Sequence, residues 1–316
     1  MTNTISAELY RLSEKLYQYF LSKTSRERSE RAILWIALVS FIIHLVLIGL
    51  VNFNVIALSE PNNLLKNPIA AIYTPFSFIL VYEVYLLVYY LPKSTSIYIS
   101  KQYEIITLII IRRLFKDLSV LSLSTDWFKI KNDLQFTYDL VASILLFCLI
   151  YLFHIQRTKI YRAVESDVNP SASISKFINA KKWIATALVP ILFICAVYGF
   201  LHWSIGIFQP IDVHPLSFKN INNIFFEQFF NILIIADVIL LLVSFFHTDE
   251  FHKVIRNSGF IISTILLRIS FSVEGVINNL LIVTAIVFGL LVLIIYNKFE
   301  KHLASEESKG GHLSEL

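Results

Sequence analysis

Among the ionisable side chains inside the long apolar runs of this 316-residue chain, five form an acid-then-arginine order that repeats. Glu83 falls in the stretch 68–91, and Arg112 and Arg113 follow in the next. Asp237 falls in the stretch 225–246, and Arg268 follows it in turn. The spacing from acid to arginine is 30 residues for Glu83 and Arg113 and 31 for Asp237 and Arg268. An unpaired charge in hydrocarbon costs at least about 2.5–3.5 kcal/mol, so acid and arginine at one depth are expected to pair. At 1.5 Å per residue, Glu83 stands ~12 Å and Arg113 ~15 Å from the same membrane boundary, and Asp237 and Arg268 repeat that relation. The expected pairs are Glu83 with Arg113, with Arg112 as a second partner, and Asp237 with Arg268. Such pairs can fix the register of neighbouring helices, or they can line a path for protons or small ions. No span has arginines at every third position, the pattern of a voltage sensor. Lys101, His252 and Arg256 form another basic group, expected to contact an anion or anionic lipid at the inner face. Asp139, Glu227, Asn231, Glu274, Asn278 and Asn279 are further polar residues near the outer ends, expected to serve helix packing.

These residues need spans to hold them. Hydrophobic residues make up 56% of the chain and charged residues only 16%, with a mean hydropathy of +0.66. A soluble domain is about a quarter charged. The apolar residues run in blocks of about 20, the length that crosses a ~30 Å hydrocarbon layer as a helix. A soluble enzyme and a nucleic-acid-binding domain are thereby excluded. The hydropathy pattern predicts spans over 32–51, 68–91, 103–123, 135–155, 183–208, 225–246, 259–278 and 279–296. The third and seventh are weakest, interrupted by Arg112, Arg113, Lys116 and Asp117, and by Arg268 and Glu274. Without those two, the basic segment 156–182 would lie outside, against the positive-inside rule. With all eight, the main basic segments share the cytoplasmic face of a cytoplasmic (inner) membrane, and both termini lie there.

The expected fold is an all-α integral membrane protein with eight transmembrane helices, built as two parallel four-helix repeats. Residues 1–31 form an amphipathic interfacial helix, from the spacing of Ile5, Leu9, Leu12, Leu16, Tyr19 and Phe20. The first repeat covers 32–155, a cytoplasmic basic linker 156–182, the second repeat 183–297 and a cytoplasmic tail 298–316. The repeat rests on a nearly constant offset: 155 residues separate Phe53 from Phe208 and Ile56 from Ile211, 154 separate Glu83 from Asp237, and 155 separate Arg113 from Arg268. Four spans per unit is an even number, so both copies have the same orientation.

No Walker loop, HExxH, GxSxG or CxxC is present, so no enzymatic activity, metal or cofactor is expected. Cys148 and Cys195 lie in apolar blocks and are expected to be small buried hydrophobes. The expected partners are the lipid bilayer, anionic lipid at the inner face, and another membrane protein or a second copy of the chain. Nucleic acid is not among them.

The run from Phe229 to Asp237, then Phe246 to His252, Arg256, and Ile261 to Arg268, resembles the phosphate-starvation-inducible PsiE family of four-span inner-membrane proteins. In that pattern an acid in the second span is followed by a histidine and an arginine at the inner loop, and an arginine ends the third-span core. His252, Arg256 and Arg268 match in spacing, and Asp237 stands where glutamate is usual. In the first half Glu83 and Arg113 match, Lys101 takes the arginine position and Ile97 the histidine position. The resemblance implies a tandem fusion of two such units and a link to phosphate limitation. The expected function is a non-enzymatic accessory or stress-response protein working through membrane-protein partners. The alternative is a small-ion or proton channel or transporter whose path the acid–arginine pairs line.

Overall fold

A computed structural model of the chain describes residues 11, 14–54, 68–118, 131–164, 172–207, 218–246, 250–273 and 275–313. These residues are almost wholly helical and include no strand. Eight α-helices follow in order: α1 Lys23–Asn52, α2 Tyr73–Tyr90, α3 Thr95–Leu118, α4 Lys131–Val164, α5 Ala172–Ile207, α6 Phe218–Phe245, α7 Phe251–Ser270 and α8 Val276–Leu313. In an apolar solvent every backbone amide must be satisfied internally, and a helix does this within one segment. Ser22 caps α1, its hydroxyl accepting from the Ser25 amide at 3.1 Å. A short 3-10 turn, Pro68–Ile72, leads into α2.

Among the described residues four helical stretches are long and apolar enough to cross a membrane: Glu14–Asn52, Asp133–Thr158, Ser175–Cys195 and Val276–Leu303. Thr74–Tyr90 and Phe229–Phe245 are apolar but shorter. The arginines keep α3 and α7 out of both groups. The helices also overrun the expected boundaries. The basic segment 156–182 is mostly helix, because α4 continues to Val164 and α5 begins at Ala172. The break expected at 278/279 falls earlier: α7 stops at Ser270, and Gly275, with φ of +77°, turns the chain into α8. A left-handed φ costs glycine nothing sterically, and that local requirement outweighs the hydropathy average. Of the expected N-terminal amphipathic helix, residues 14–21 are described and helical. They dock on the bundle: Tyr85 donates to the Phe20 carbonyl at 2.7 Å, and Lys182 to Glu14 at 3.1 Å. Trp35 and Trp183 are exposed, whereas Trp127 lies outside the described residues.

Consecutive helices pack within each half, and the halves meet where α4 lies on α8, α3 on α7 and α2 on α5. The buried core is mainly apolar but carries many polar side chains, and the outer face is apolar as well. On α7 the buried face carries Asn257, Ser263, Thr264, Arg268 and Ser270, while Ile255, Ile262 and Ile269 point out. α1 exposes Leu34, Trp35, Val39, Ile42, Ile43 and Val46. Lipid tails are as apolar as leucine, so burying leucine gains little there. Small and polar residues then hold the interfaces. Cys148 follows the same rule: it is exposed on the outer face of α4 beside Phe147, not buried as its apolar neighbours had suggested, and Cys195 is half-buried.

At the centre, Tyr103 of α3, Phe153 of α4 and Phe260 of α7 are fully buried. The Tyr103 and Phe153 rings meet edge-on at 5.0 Å, and Phe153 and Phe260 stand 5.9 Å apart. Ser263 donates its hydroxyl proton to the Ala285 carbonyl at 2.6 Å, so in its 2.7 Å contact with Tyr103 the phenol is the donor. The Tyr103 hydroxyl lies where a side chain on Gly289 would begin, whereas Gly49 has open space around it. Gly289→Ala should therefore cost about 1–3 kcal/mol through overpacking, lowering the melting temperature of the purified protein in detergent. Gly49→Ala should not lower it. Equal melting temperatures for the two variants would refute this packing.

Candidate functional site

Asp237, in the second half of α6, is a buried acid shared between the two halves of the chain. Its carboxylate is fully buried, accepting from Arg268 Nη2 of α7 at 2.8 Å on Oδ2 and from the Tyr98 hydroxyl of α3 at 2.9 Å on Oδ1. Three helices from both halves thus converge on one carboxylate. Arg268 reaches it because α6 and α7 are joined by a short connection and run side by side. Its guanidinium also lies 6.0 Å from the Phe230 ring centroid, while Nη1 is buried with no hydrogen-bond partner among the described residues.

In the first half, Glu83 of α2 pairs with Arg112, not with Arg113. Arg112 Nη2 stands 3.2 Å from Glu83 Oε2, and Nη1 donates to the Phe76 carbonyl at 3.1 Å. Arg113 turns away to Asp139 of α4, paired through Nε and, at 3.0 Å, Nη2. It also donates to Asn278 at 2.9 Å and Asn279 at 2.5 Å on α8. Successive helical residues point about 100° apart, so two adjacent arginines cannot serve one neighbour. Arg112 faces α2 and Arg113 faces α4 and α8. The expected assignment of Glu83 to Arg113 is corrected on that ground. Asp139 is fully buried and also accepts from Gln135 at 2.7 Å and Asn279 at 2.6 Å. The Asn278 amide reaches the Ser270 carbonyl, tying the network to the end of α7.

Of the basic group Lys101, His252 and Arg256, the last two meet at the Tyr296 ring and Lys101 has other partners. Lys101 is held by Glu104 at 2.5 Å and lies over the Tyr90 ring. His252 contacts Glu300 at 3.0 Å and Glu250 at 3.2 Å, stacked on Tyr296 and Phe299. Arg256 lies over the other aromatic contact of His252, the Tyr296 ring, at 4.3 Å and donates to Asn257 Oδ1. Burial pulls its guanidinium below the usual arginine range. Among the described residues, the ionic partners of Lys101 and His252 differ, and Arg256 has no carboxylate within ion-pair distance.

Two residues that sequence reasoning did not single out complete the arrangement. Tyr98 caps Asp237, and Lys181 of α5 lies buried in the bundle, its ammonium donating to the Lys93 carbonyl at 3.1 Å. A cavity of about 30 Å³ opens between them, with Asp237, Lys181, Tyr98, Thr95, Ser244 and Asn257 among its walls. Lys181 had been placed in an aqueous linker, because it precedes the apolar run. The signal that could have found it is its position 155 residues after Arg26, which likewise sits under α2, donating to the Tyr90 hydroxyl at 3.3 Å. Among the described residues no group of three or more His, Cys, Asp or Glu side chains is placed to hold a metal.

The arrangement can hold charges in place and pin helices together. Removing one member of a buried pair leaves the other uncompensated, at a cost of about 3–5 kcal/mol. Double-mutant cycles on unfolding of the purified protein should give Glu83→Gln and Arg112→Ala a coupling within the roughly 0.5–3 kcal/mol found for contacting residues. Arg113→Ala should couple with Asp139→Asn and not with Glu83→Gln. Coupling of Glu83 to Arg113 alone would overturn the assignment.

Comparison with known protein families, with curated proteins and with solved structures yields no match for this chain.

Proposed function

We propose that this is a non-enzymatic accessory protein of the cytoplasmic membrane, acting through association with other membrane proteins. The observation that carries this reading is the occupancy of the buried acids. Asp237 accepts from α7 and α3, and Asp139 from α3 and α8 as well as from its own helix. A carboxylate that relays protons or ions must release its partners in turn. One held by several helices at once is a joint, and unlocking it would unpack the bundle.

In this reading all eight helices cross the bilayer, as two parallel four-helix units with both termini cytoplasmic. Support for the duplication comes from helix ends as well as charges. α2 and α6 end at Tyr90 and Phe245, 155 residues apart, and α3 and α7 begin at Thr95 and Phe251, 156 apart. The charged α3 and α7 are carried across by their pairs, since a paired charge inside a bundle avoids the cost of an isolated one. The likeness to phosphate-starvation-inducible four-span proteins supports a role in the response to phosphate limitation.

One observation favours the second reading, a small-ion or proton pathway: Asp237 and Lys181 share a cavity. Reconstitution in planar bilayers separates the two. The accessory reading expects no current in KCl, with or without a proton gradient. A reproducible current abolished by Glu83→Gln, in a variant that still folds, would replace it with a conducting protein. The span count has its own test in a Cys148→Ala, Cys195→Ala background, with single cysteines at positions 124 and 166, which lie outside the described residues. An impermeant thiol reagent on intact cells should label the first and spare the second. Labelling of both, or the reverse pattern, would refute the eight-span arrangement.

A further inference from the structure

The cavity beside Lys181 carries more positive charge than the surrounding protein neutralises. Its walls hold one carboxylate, Asp237, whose two oxygens are already taken by Arg268 and Tyr98. The buried Arg268 guanidinium, which is not among the walls, balances that carboxylate, and the buried Lys181 ammonium on the wall remains. Arg256 adds another cation to the field at Lys181. Lys181 is only 6% exposed, its one hydrogen bond goes to a neutral carbonyl, and its ammonium also lies 4.8 Å from the Phe177 ring centroid. An ammonium has three donors, so two are left. Arg268 Nη1 is a buried donor with no partner among the described residues. Asn257 of α7 accepts from Arg256 through Oδ1, which leaves its amide N–H groups to donate at the cavity wall. The cavity wall therefore carries the Lys181 ammonium with unmet donors, while its one carboxylate, Asp237, is already paired with Arg268.

We propose that this cavity binds one small monovalent anion of halide size, chloride being the abundant candidate, as the counter-ion of Lys181. A cation is disfavoured by the sign of the field. At about 30 Å³ the space suits a water-sized occupant. It is too small for phosphate or a lipid headgroup. The anion completes the charge balance where α2 and α3 of one half meet α5, α6 and α7 of the other, so its binding strengthens the contact between halves. A neutral water in the same place would satisfy some donors and leave the charge unbalanced.

The test uses purified full-length protein in detergent. The chloride NMR linewidth should show excess broadening over a protein-free detergent blank, displaced by bromide and not by phosphate. The melting temperature should be higher in sodium chloride than in sodium gluconate of equal ionic strength. Lys181→Gln should lose the excess broadening, while Lys182→Gln, whose native side chain pairs with Glu14, should keep it. Should Lys181→Gln fail to fold, the wild-type comparisons with gluconate and phosphate still decide. Absence of excess broadening together with equal melting temperatures would assign the cavity to water and overturn the proposal. So would broadening that persists in folded Lys181→Gln, or displacement by phosphate as effective as by bromide.

Discussion

A charge buried in this bundle must find its opposite within the protein, and the Asp237 carboxylate is one of the places where that constraint draws three helices together. Its two oxygens take one donor from α7 and one from α3, and it lies on α6. Those two bonds fix the rotation of α7, because Arg268 must point inward. They also bring the start of α3 onto the second half of the chain. Once α3 is held there, Tyr103 lies against Gly289, and the aromatic core of Tyr103, Phe153 and Phe260 can close. Arg112 and Arg113 then work as a fork, one prong on α2 and the other on α4 and α8.

The same constraint explains why polar side chains are set into an apolar interior while the exterior is apolar too. With lipid outside, sequestering isoleucine gains little, so Ile255, Ile262 and Ile269 can face outward while α7 turns serine, threonine, asparagine and arginine inward. Close approach then depends on glycine and on hydroxyls that find a carbonyl, as Ser263 finds Ala285 and Ser244 finds Leu241. The interfaces are held by geometry and hydrogen bonding rather than by dehydration, which makes them sensitive to a single added methyl.

Much of the helix inventory was legible in the sequence, since apolar runs of about 20 residues admit few other structures. The pairing of Asp237 with Arg268 was legible too, because depth along two neighbouring helices is simple arithmetic. Partner choice at Arg112 and Arg113 was not. Depth says nothing about azimuth, and one residue of shift rotates a side chain by about 100°. Asp139 and Asn279 stood in view as outer-half polar residues, but their convergence on Arg113 depends on α4 packing against α8. Lys181 escaped for a different reason: hydropathy averaging ends a span at the first lysine, whereas a helix with a polar partner nearby carries that lysine inward. The α7–α8 turn was hidden by the same averaging, which cannot see the backbone freedom of Gly275.

The central claim is that the buried acid–arginine pairs hold the bundle together, and Asp237→Asn addresses it most directly. Asparagine keeps the shape and can still accept from Tyr98, but it removes the charge opposite Arg268. Melting of the purified protein in detergent, followed by loss of helical signal, should shift to clearly lower temperature for Asp237→Asn. A smaller shift is expected for Tyr98→Phe, which leaves the ion pair intact. An Asp237→Asn protein as stable as the wild type would contradict the account, since the carboxylate would then be dispensable to the fold.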